Sequence, residues 1–439
     1  MPVRHRPALL ERPTAPVHAG RGWTIWLPVA ALAALPVLAL YAPKALPGLV
    51  IILMAPALSA GVRESVAWPR PSWPIVAALA GFVGLGAASA LWSIDPATSV
   101  AAAAKLAGWA VVATVLFTLR PPPSARGADL GARALIAGFV GALILMSIDL
   151  NADLAVLKLV QVGAKARAVL YAHSLNRGAT VIALLLSPVV ALCLSRGRLL
   201  TASAVGFLAL AVIGASSSAT AMLAAIVGIV AFMAVRWRGG PVIRLLAGAM
   251  ALWLIAAPLV LSAGASGAWA ARLVPKLEPA DVHRLLIWEF TTDRIAERPV
   301  LGWGLDSARR IPGGKQNLNE AIRDRFDAAD YDYLKRVFAN NVFEALPLHP
   351  HSLALQIWLE LGATGALLAA ALVWLALGAA AAAPSRHHRA SLAGTAAAGF
   401  VIANLSYGAW QSWWLAALIL AVAINLALVR EPAAAPAQT

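Results

Sequence analysis

The chain has 439 residues, of which 61% are apolar and only 13% charged, against about 25% charged in an ordinary soluble domain. So little charge cannot cover a water-facing globule of this size, which excludes a soluble enzyme and predicts an all-α integral membrane protein. Lys and Arg outnumber Asp and Glu by 35 to 20, a net charge of +15, but the excess sits between apolar runs, where membrane topology accounts for it without a nucleic-acid-binding face.

The first 24 residues are basic (Arg4, Arg6, Arg12, Arg21) and lead into an apolar run that continues to about residue 42. That run is too long for the core of a cleaved signal and is read as a first span. With about 20 apolar residues per crossing, twelve spans are predicted, at 25–42, 45–61, 74–92, 100–119, 132–149, 177–195, 199–215, 217–235, 241–262, 352–378, 390–408 and 411–429. Nine therefore fall in 25–262 and three in 352–430, with 431–439 an Ala/Pro-rich tail expected to be disordered.

Arginines cluster at alternate connections: Arg63 and Arg70, Arg120 to Arg133, Arg196 and Arg198, Arg236 to Arg244, Arg386 and Arg389, and Arg430. By the positive-inside rule both termini face the cytoplasm, and the intervening loops face the opposite side of the membrane. The single cysteine, Cys193, lies in an apolar run, so no intrachain disulfide forms, and no Cys/His spacing suggests a metal site. No metal and no cofactor are expected.

Two connections on that outer side are long. Residues 150–176 form a weakly amphipathic stretch with Lys158, Lys165 and Arg167, expected to lie along the membrane surface. Residues 263–351 hold twelve basic and twelve acidic side chains, a mixed composition that predicts a folded cap rather than a linker. Within the cap, Leu285, Ile287, Trp288, Phe290 and Ile295 followed by Pro299 predict a helix from about Val282 that ends before the proline, and a second helix is expected within 318–338.

Three places carry chemistry. Asn176-Arg177 stands at the outer mouth of the sixth span; an arginine at the edge of hydrocarbon costs several kcal/mol unless it reaches water, phosphate or a partner, although snorkelling to headgroups is an equally good account. Arg284, with Trp288 one helical turn later, offers a planar, permanently charged group that grips phosphate through two hydrogen bonds. The plainer account there is a cation–π contact or a pair with Asp281. In His349-Pro350-His351-Ser352, Pro350 suits the first turn of the tenth span and would set His351 at its outer end, where an imidazole can take a proton from a sugar hydroxyl. An interfacial histidine without a role is the alternative. His387-His388 reads as part of the cytoplasmic positive charge, and Trp410, Trp413 and Trp414 as interfacial belt residues.

Taken in order, Arg284 with Trp288, the turn Arg298-Pro299-Val300-Leu301-Gly302-Trp303-Gly304, and His349-Pro350-His351-Ser352 running into Gln356 and Glu360-Leu361-Gly362 resemble the O-antigen ligase and polymerase superfamily, most closely its ligase branch. Members of that superfamily usually have asparagine where Ser352 stands, and many have an arginine where this chain reads Ser216 to Thr220. The resemblance implies a metal-independent glycosyltransferase that takes glycan from a polyprenyl diphosphate carrier at the periplasmic face. It assigns His351 the catalytic base and Arg177 and Arg284 the diphosphate; His349, Asn176 and Trp288 are expected to contact the substrate beside them. The expected acceptor is a sugar hydroxyl of lipid A-core; a polymerase would use the same donor with a second lipid-linked glycan as acceptor, and a transporter or flippase of lipid-linked sugars would need ionisable residues at mid-membrane.

Overall fold

The structure is a computed structural model; it describes residues 23–64, 72–118, 125–160, 172–266, 279–319, 343–383 and 385–429. Among these residues the regular structure is helical: α1 (Trp23–Tyr41), α2 (Leu46–Glu64), α3 (Trp73–Ala88), α4 (Pro96–Thr118), α5 (Ala125–Asn151), α6 (Ala155–Val160), α7 (Asn176–Leu194), α8 (Leu199–Gly214), α9 (Ala219–Arg238), α10 (Gly240–Ser266), α11 (Pro279–Glu297), α12 (Leu353–Ala381), α13 (Arg386–Leu405) and α14 (Ser412–Leu428). Apart from α6 and α11, these coincide one for one with the twelve apolar stretches. Seven helical stretches are long and apolar enough to cross a membrane, those at 73–91, 96–117, 126–151, 173–194, 219–238, 240–263 and 353–381.

The chain is an all-α integral membrane protein. Large apolar side chains stand exposed along its flank, with Phe207 77% and Leu259 75% accessible, a surface that suits lipid and not water. Prolines inside α1, α7 and α10 are tolerated in such helices because neighbouring helices hold the backbone groups they free.

At the centre is α7, buried without interruption from Gly178 to Cys193. The helices α1, α5, α9, α13 and α14 pack around it in one apolar cluster, with small residues where the axes come closest, as at Gly228 beside Gly394 and Ala398. A second cluster joins α3, α4, α10 and α12. A third lies at one end of the bundle, the cap end, where Ile287 and Ile295 of α11 meet Leu346, Leu355 and Leu359.

The cap helix α11 runs from Pro279, a turn earlier than the apolar pattern indicates, and ends at Glu297 before Pro299. The second expected cap helix falls largely on 320–342, outside the described residues. Of the 150–176 stretch, α6 is helical and begins where the buried Asp149 carboxylate accepts from the N–H groups of Val156 and Leu157 at 2.7 and 3.1 Å. In α5 the helix starts seven residues before the apolar run, because Asp129 pairs with Arg133 at 2.9 Å and with Arg196 at 3.6 Å and so carries the charged turn.

Candidate functional site

The segment before α12 does not enter the helix at Pro350. The cap residue is Ser352, whose Oγ accepts from Leu355 N–H at 3.4 Å, so His351 stands outside the helix, with φ 55°. A side chain rarely adopts this left-handed backbone, which costs of order 1–3 kcal/mol and persists only where the surroundings enforce it. Here they do so from two sides. The Trp288 indole N–H of α11 donates to the Pro350 carbonyl at 2.9 Å, and Asn404 Oδ1 of α13 takes Ala354 N–H at 3.1 Å.

That geometry fixes both imidazoles. The His351 backbone N–H donates to His349 Nδ1 at 3.1 Å, so a neutral His349 carries its proton on Nε2. His351 Nδ1 lies 2.6 Å from the Ser406 carbonyl; a carbonyl only accepts, so Nδ1 carries the proton and the lone pair is on Nε2. The two rings are 4.3 Å apart between centroids. Burial pushes the His351 pKa down to about 4, a shift the Ser406 bond opposes and the charges of Arg284 and His283 reinforce. His349 is pushed to about 3 by burial, with His351 and Arg309 adding to the shift. Both rings are therefore neutral at pH 7, and His351 presents an unprotonated nitrogen.

Arg284 pairs with Asp281 at 2.7 Å and remains about a third exposed, at 32%. The plainer expectation of an ion pair is thus realised, while its charge still reaches His351. Trp288 goes to Pro350 and serves the turn. Arg177, an exposed side chain in the first turn of α7, lies over the Trp413 ring at 5.8 Å, and Trp413 packs edge-on against Tyr407 at 4.7 Å. Tyr407 adjoins Ser406, whose carbonyl meets His351, so Arg177 and His351 both border the segment that joins α13 to α14. Asn176 faces elsewhere: its Oδ1 accepts from Ser217 Oγ at 3.1 Å. In the Ser216 to Thr220 segment, Ser218 caps α9 through Ala221 N–H.

Sequence reading misplaced the aromatic and histidine groups near the last two spans. Trp410, Trp413 and Trp414 are 7%, 6% and 1% exposed, interior residues instead of a membrane belt, because Trp413 and Trp414 pack into the apolar cluster around α7 and Trp410 into that of α3, α4, α10 and α12. His387 and His388 are likewise buried at the start of α13, where the helix end packs inward. It also missed Ser406, whose contribution is a backbone carbonyl and leaves no residue-type signal, and Arg309, which is exposed at the end of the turn Ser307–Arg310 and acts on His349.

The loop 298–304 docks on a break in α12. Gly362 has φ 63° and ψ −161°, which interrupts the helical ladder, and the loop takes up the freed groups: Trp303 N–H to Leu359 O at 2.9 Å, Gly304 N–H to Glu360 O at 2.8 Å, and Ala363 N–H to Pro299 O at 2.8 Å. Arg298 covers the Trp303 ring at 4.0 Å. Beside this loop a cleft of about 370 Å³ opens between α10 and α11, lined by Pro258, Leu259, Thr292, Ile295, Pro299 and Trp358 among others. Among the described residues no three His, Cys, Asp or Glu side chains gather as metal ligands would.

Residues 204–370 match the family described as O-antigen ligase, a stretch from α8 into α12 that holds Arg284, Trp288, the docked loop and both histidines. Similar curated proteins carry the name "Putative polysaccharide ligase": one from Rickettsia conorii is 32% identical over 153 residues, 35% of this chain and 33% of its own length. One from Rickettsia prowazekii is 33% identical over 153 residues, 35% of this chain and 34% of its own. The chain thus matches about a third of the length of these relatives. No solved structure matches it. It is over the segment 204–370, which contains the histidine turn and the cap helix that clamps it, that the chain is similar to the O-antigen ligase family.

Proposed function

We propose that the protein moves a glycan from a polyprenyl diphosphate carrier to a sugar hydroxyl, with lipid A-core as acceptor, at the periplasmic face of a bacterial inner membrane with both termini in the cytoplasm. The observation that carries this reading is the 2.6 Å contact of His351 Nδ1 with the Ser406 carbonyl, which leaves Nε2 to accept a proton within the field of the Arg284 guanidinium.

In this reading the acceptor hydroxyl oxygen attacks the anomeric carbon of the donor. Its proton passes to His351 Nε2, the bond between that carbon and the diphosphate oxygen breaks, and the diphosphate leaves with the electron pair. Arg284 and Arg177 hold the diphosphate and stabilise the charge that develops on the leaving oxygen. Arrival of an anion at Arg284 offsets the positive charge that depresses the His351 pKa, so the base strengthens when the donor is in place. The apolar cleft under α11 suits the first part of the prenyl chain, since it opens beside the lipid-facing Leu259. His349 holds the backbone of His351, Trp288 holds the turn, and Asn176 keeps the α7 mouth against Ser217. No metal or cofactor takes part in this scheme.

The test is reconstitution of the full-length protein with a lipid diphosphate-linked glycan and three acceptor conditions. Transfer to lipid A-core supports the ligase reading. Growth of the lipid-linked glycan on itself assigns a polymerase instead, and translocation without transfer assigns a carrier.

A further inference from the structure

Within α12, two turns from its cap end, Glu360 is fully buried, with 0% of its surface exposed. A carboxylate inside a membrane span is costly and persists only with partners. Glu360 has three side-chain partners, all donors: Gln356 Nε2 at 2.9 Å to Oε1, and Trp410 Nε1 and the Asp306 backbone N–H, each at 2.6 Å to Oε2. Lys105, from the span α4, lies 3.8 Å from the Asp306 carboxylate.

The partners lead to the site. Gln356 Oε1 accepts from Ala409 N–H at 2.9 Å, so residues 409 and 410 of the α13–α14 turn are both tethered to Glu360, one through Gln356 and one directly. Three residues earlier in the same turn is Ser406, whose carbonyl receives His351 Nδ1–H, and Gly408 packs on the His349 ring. The third tether, Asp306, begins the turn that carries Arg309. Nothing in the proposed chemistry touches Glu360, yet it joins the base, the turn that orients the base, and the cap.

We propose that Glu360 is a positioning residue that sets the 406–411 turn and thereby holds His351 in the tautomer with its lone pair on Nε2. The proposal rests on the transferase reading for its kinetic consequence but not for its spectroscopic one. Exchange of the carboxylate for an amide places a donor among donors. If the new amide oxygen keeps Trp410 and Asp306, its NH2 faces Gln356, which must turn its own oxygen inward and present NH2 to the Ala409 N–H. The tether to the turn through Gln356 and Ala409 is then lost. The paired exchange Gln356→Glu with Glu360→Gln restores it: the amide at 360 donates to the carboxylate at 356, which again accepts from Ala409.

The experiment compares wild type, Glu360→Gln, Trp410→Phe and the paired exchange in the full-length purified protein. It reads kcat and donor KM for glycan transfer, and the ¹⁵N signals of histidine-labelled protein, with His351 identified by its loss in His351→Gln. Glu360→Gln is expected to lower kcat at least tenfold with donor KM within threefold, and to convert the His351 signal from one tautomer to a mixture. The paired exchange is expected to restore both. An unchanged His351 tautomer in Glu360→Gln, or failure of the paired exchange to restore it in a folded protein, overturns the proposal. If Glu360→Gln does not fold, Trp410→Phe decides, and an unchanged tautomer there overturns it equally. A wild type that transfers no glycan while the tautomer still responds to Glu360→Gln refutes the transferase reading and leaves the positioning intact.

Discussion

Gly362→Ala probes how the cap is fastened to the bundle. At φ 63° and ψ −161° the backbone lies in a region that only glycine enters freely, and an alanine there costs about 1–3 kcal/mol in strain. Its Cβ would also run into the backbone carbonyl of Val300, which no rotamer change relieves. Loop and helix must part, with loss of the bonds from Trp303 N–H to Leu359 O at 2.9 Å, Gly304 N–H to Glu360 O at 2.8 Å and Ala363 N–H to Pro299 O at 2.8 Å. At about 0.5–1.5 kcal/mol each, the bonds and the strain together come to roughly 2.5–7.5 kcal/mol. Hydrogen exchange of the purified full-length protein reads this directly. Amides of 302–306 should lose protection by about a hundredfold or more, glycan transfer should fall, and the exchange of α7 should be unchanged. Full protection of 302–306 together with undiminished transfer would refute the docking argument.

Arg284→Gln and Arg177→Gln should each raise the donor KM about tenfold or more and leave the acceptor KM within threefold; a defect confined to the acceptor removes the diphosphate assignment. The pH dependence follows from the two buried imidazoles. Their folded pKa values, about 4 for His351 and about 3 for His349, lie below the unfolded value near 6.5, so the unfolded chain binds more protons as pH falls. Stability from these groups is therefore fully present above about pH 6.5 and declines on acidification toward pH 4. In activity, the acid limb of kcat/KM should lie well below pH 6.5 and that of kcat at higher pH, because a bound diphosphate raises the His351 pKa; a kcat limb at the lower pH contradicts the electrostatic coupling. Transfer should persist in excess chelator, whereas loss reversed by a divalent cation would require a metal site in the mechanism.

Hydropathy made the helices legible because each apolar stretch must satisfy its own backbone in lipid, and so all twelve stretches reappear as helices. What it does not encode is which face of a span turns inward. Trp410, Trp413 and Trp414 have the composition of a membrane belt, but Trp410 is interior because a carboxylate 50 residues away in sequence awaits its N–H. Glu360 and Lys105 similarly look like isolated charges in spans; their pairing through Asp306 exists only in three dimensions. The histidine pair was legible as a motif, since two imidazoles around a proline before an apolar run are conspicuous. Its geometry was not, because proline commonly opens a helix, and here Ser352 takes the cap and leaves His351 in a left-handed conformation. Arg284 was found by residue type, and its pairing with Asp281 three residues earlier follows from helix spacing.

The assignment of His351 as the base is tested most directly by single-turnover transfer from a lipid diphosphate-linked glycan, with purified wild type and His351→Ala compared at equal donor occupancy. The rate constant should fall on the order of 10²–10⁴-fold while donor binding is retained. Transfer by His351→Ala at the wild-type rate would contradict it.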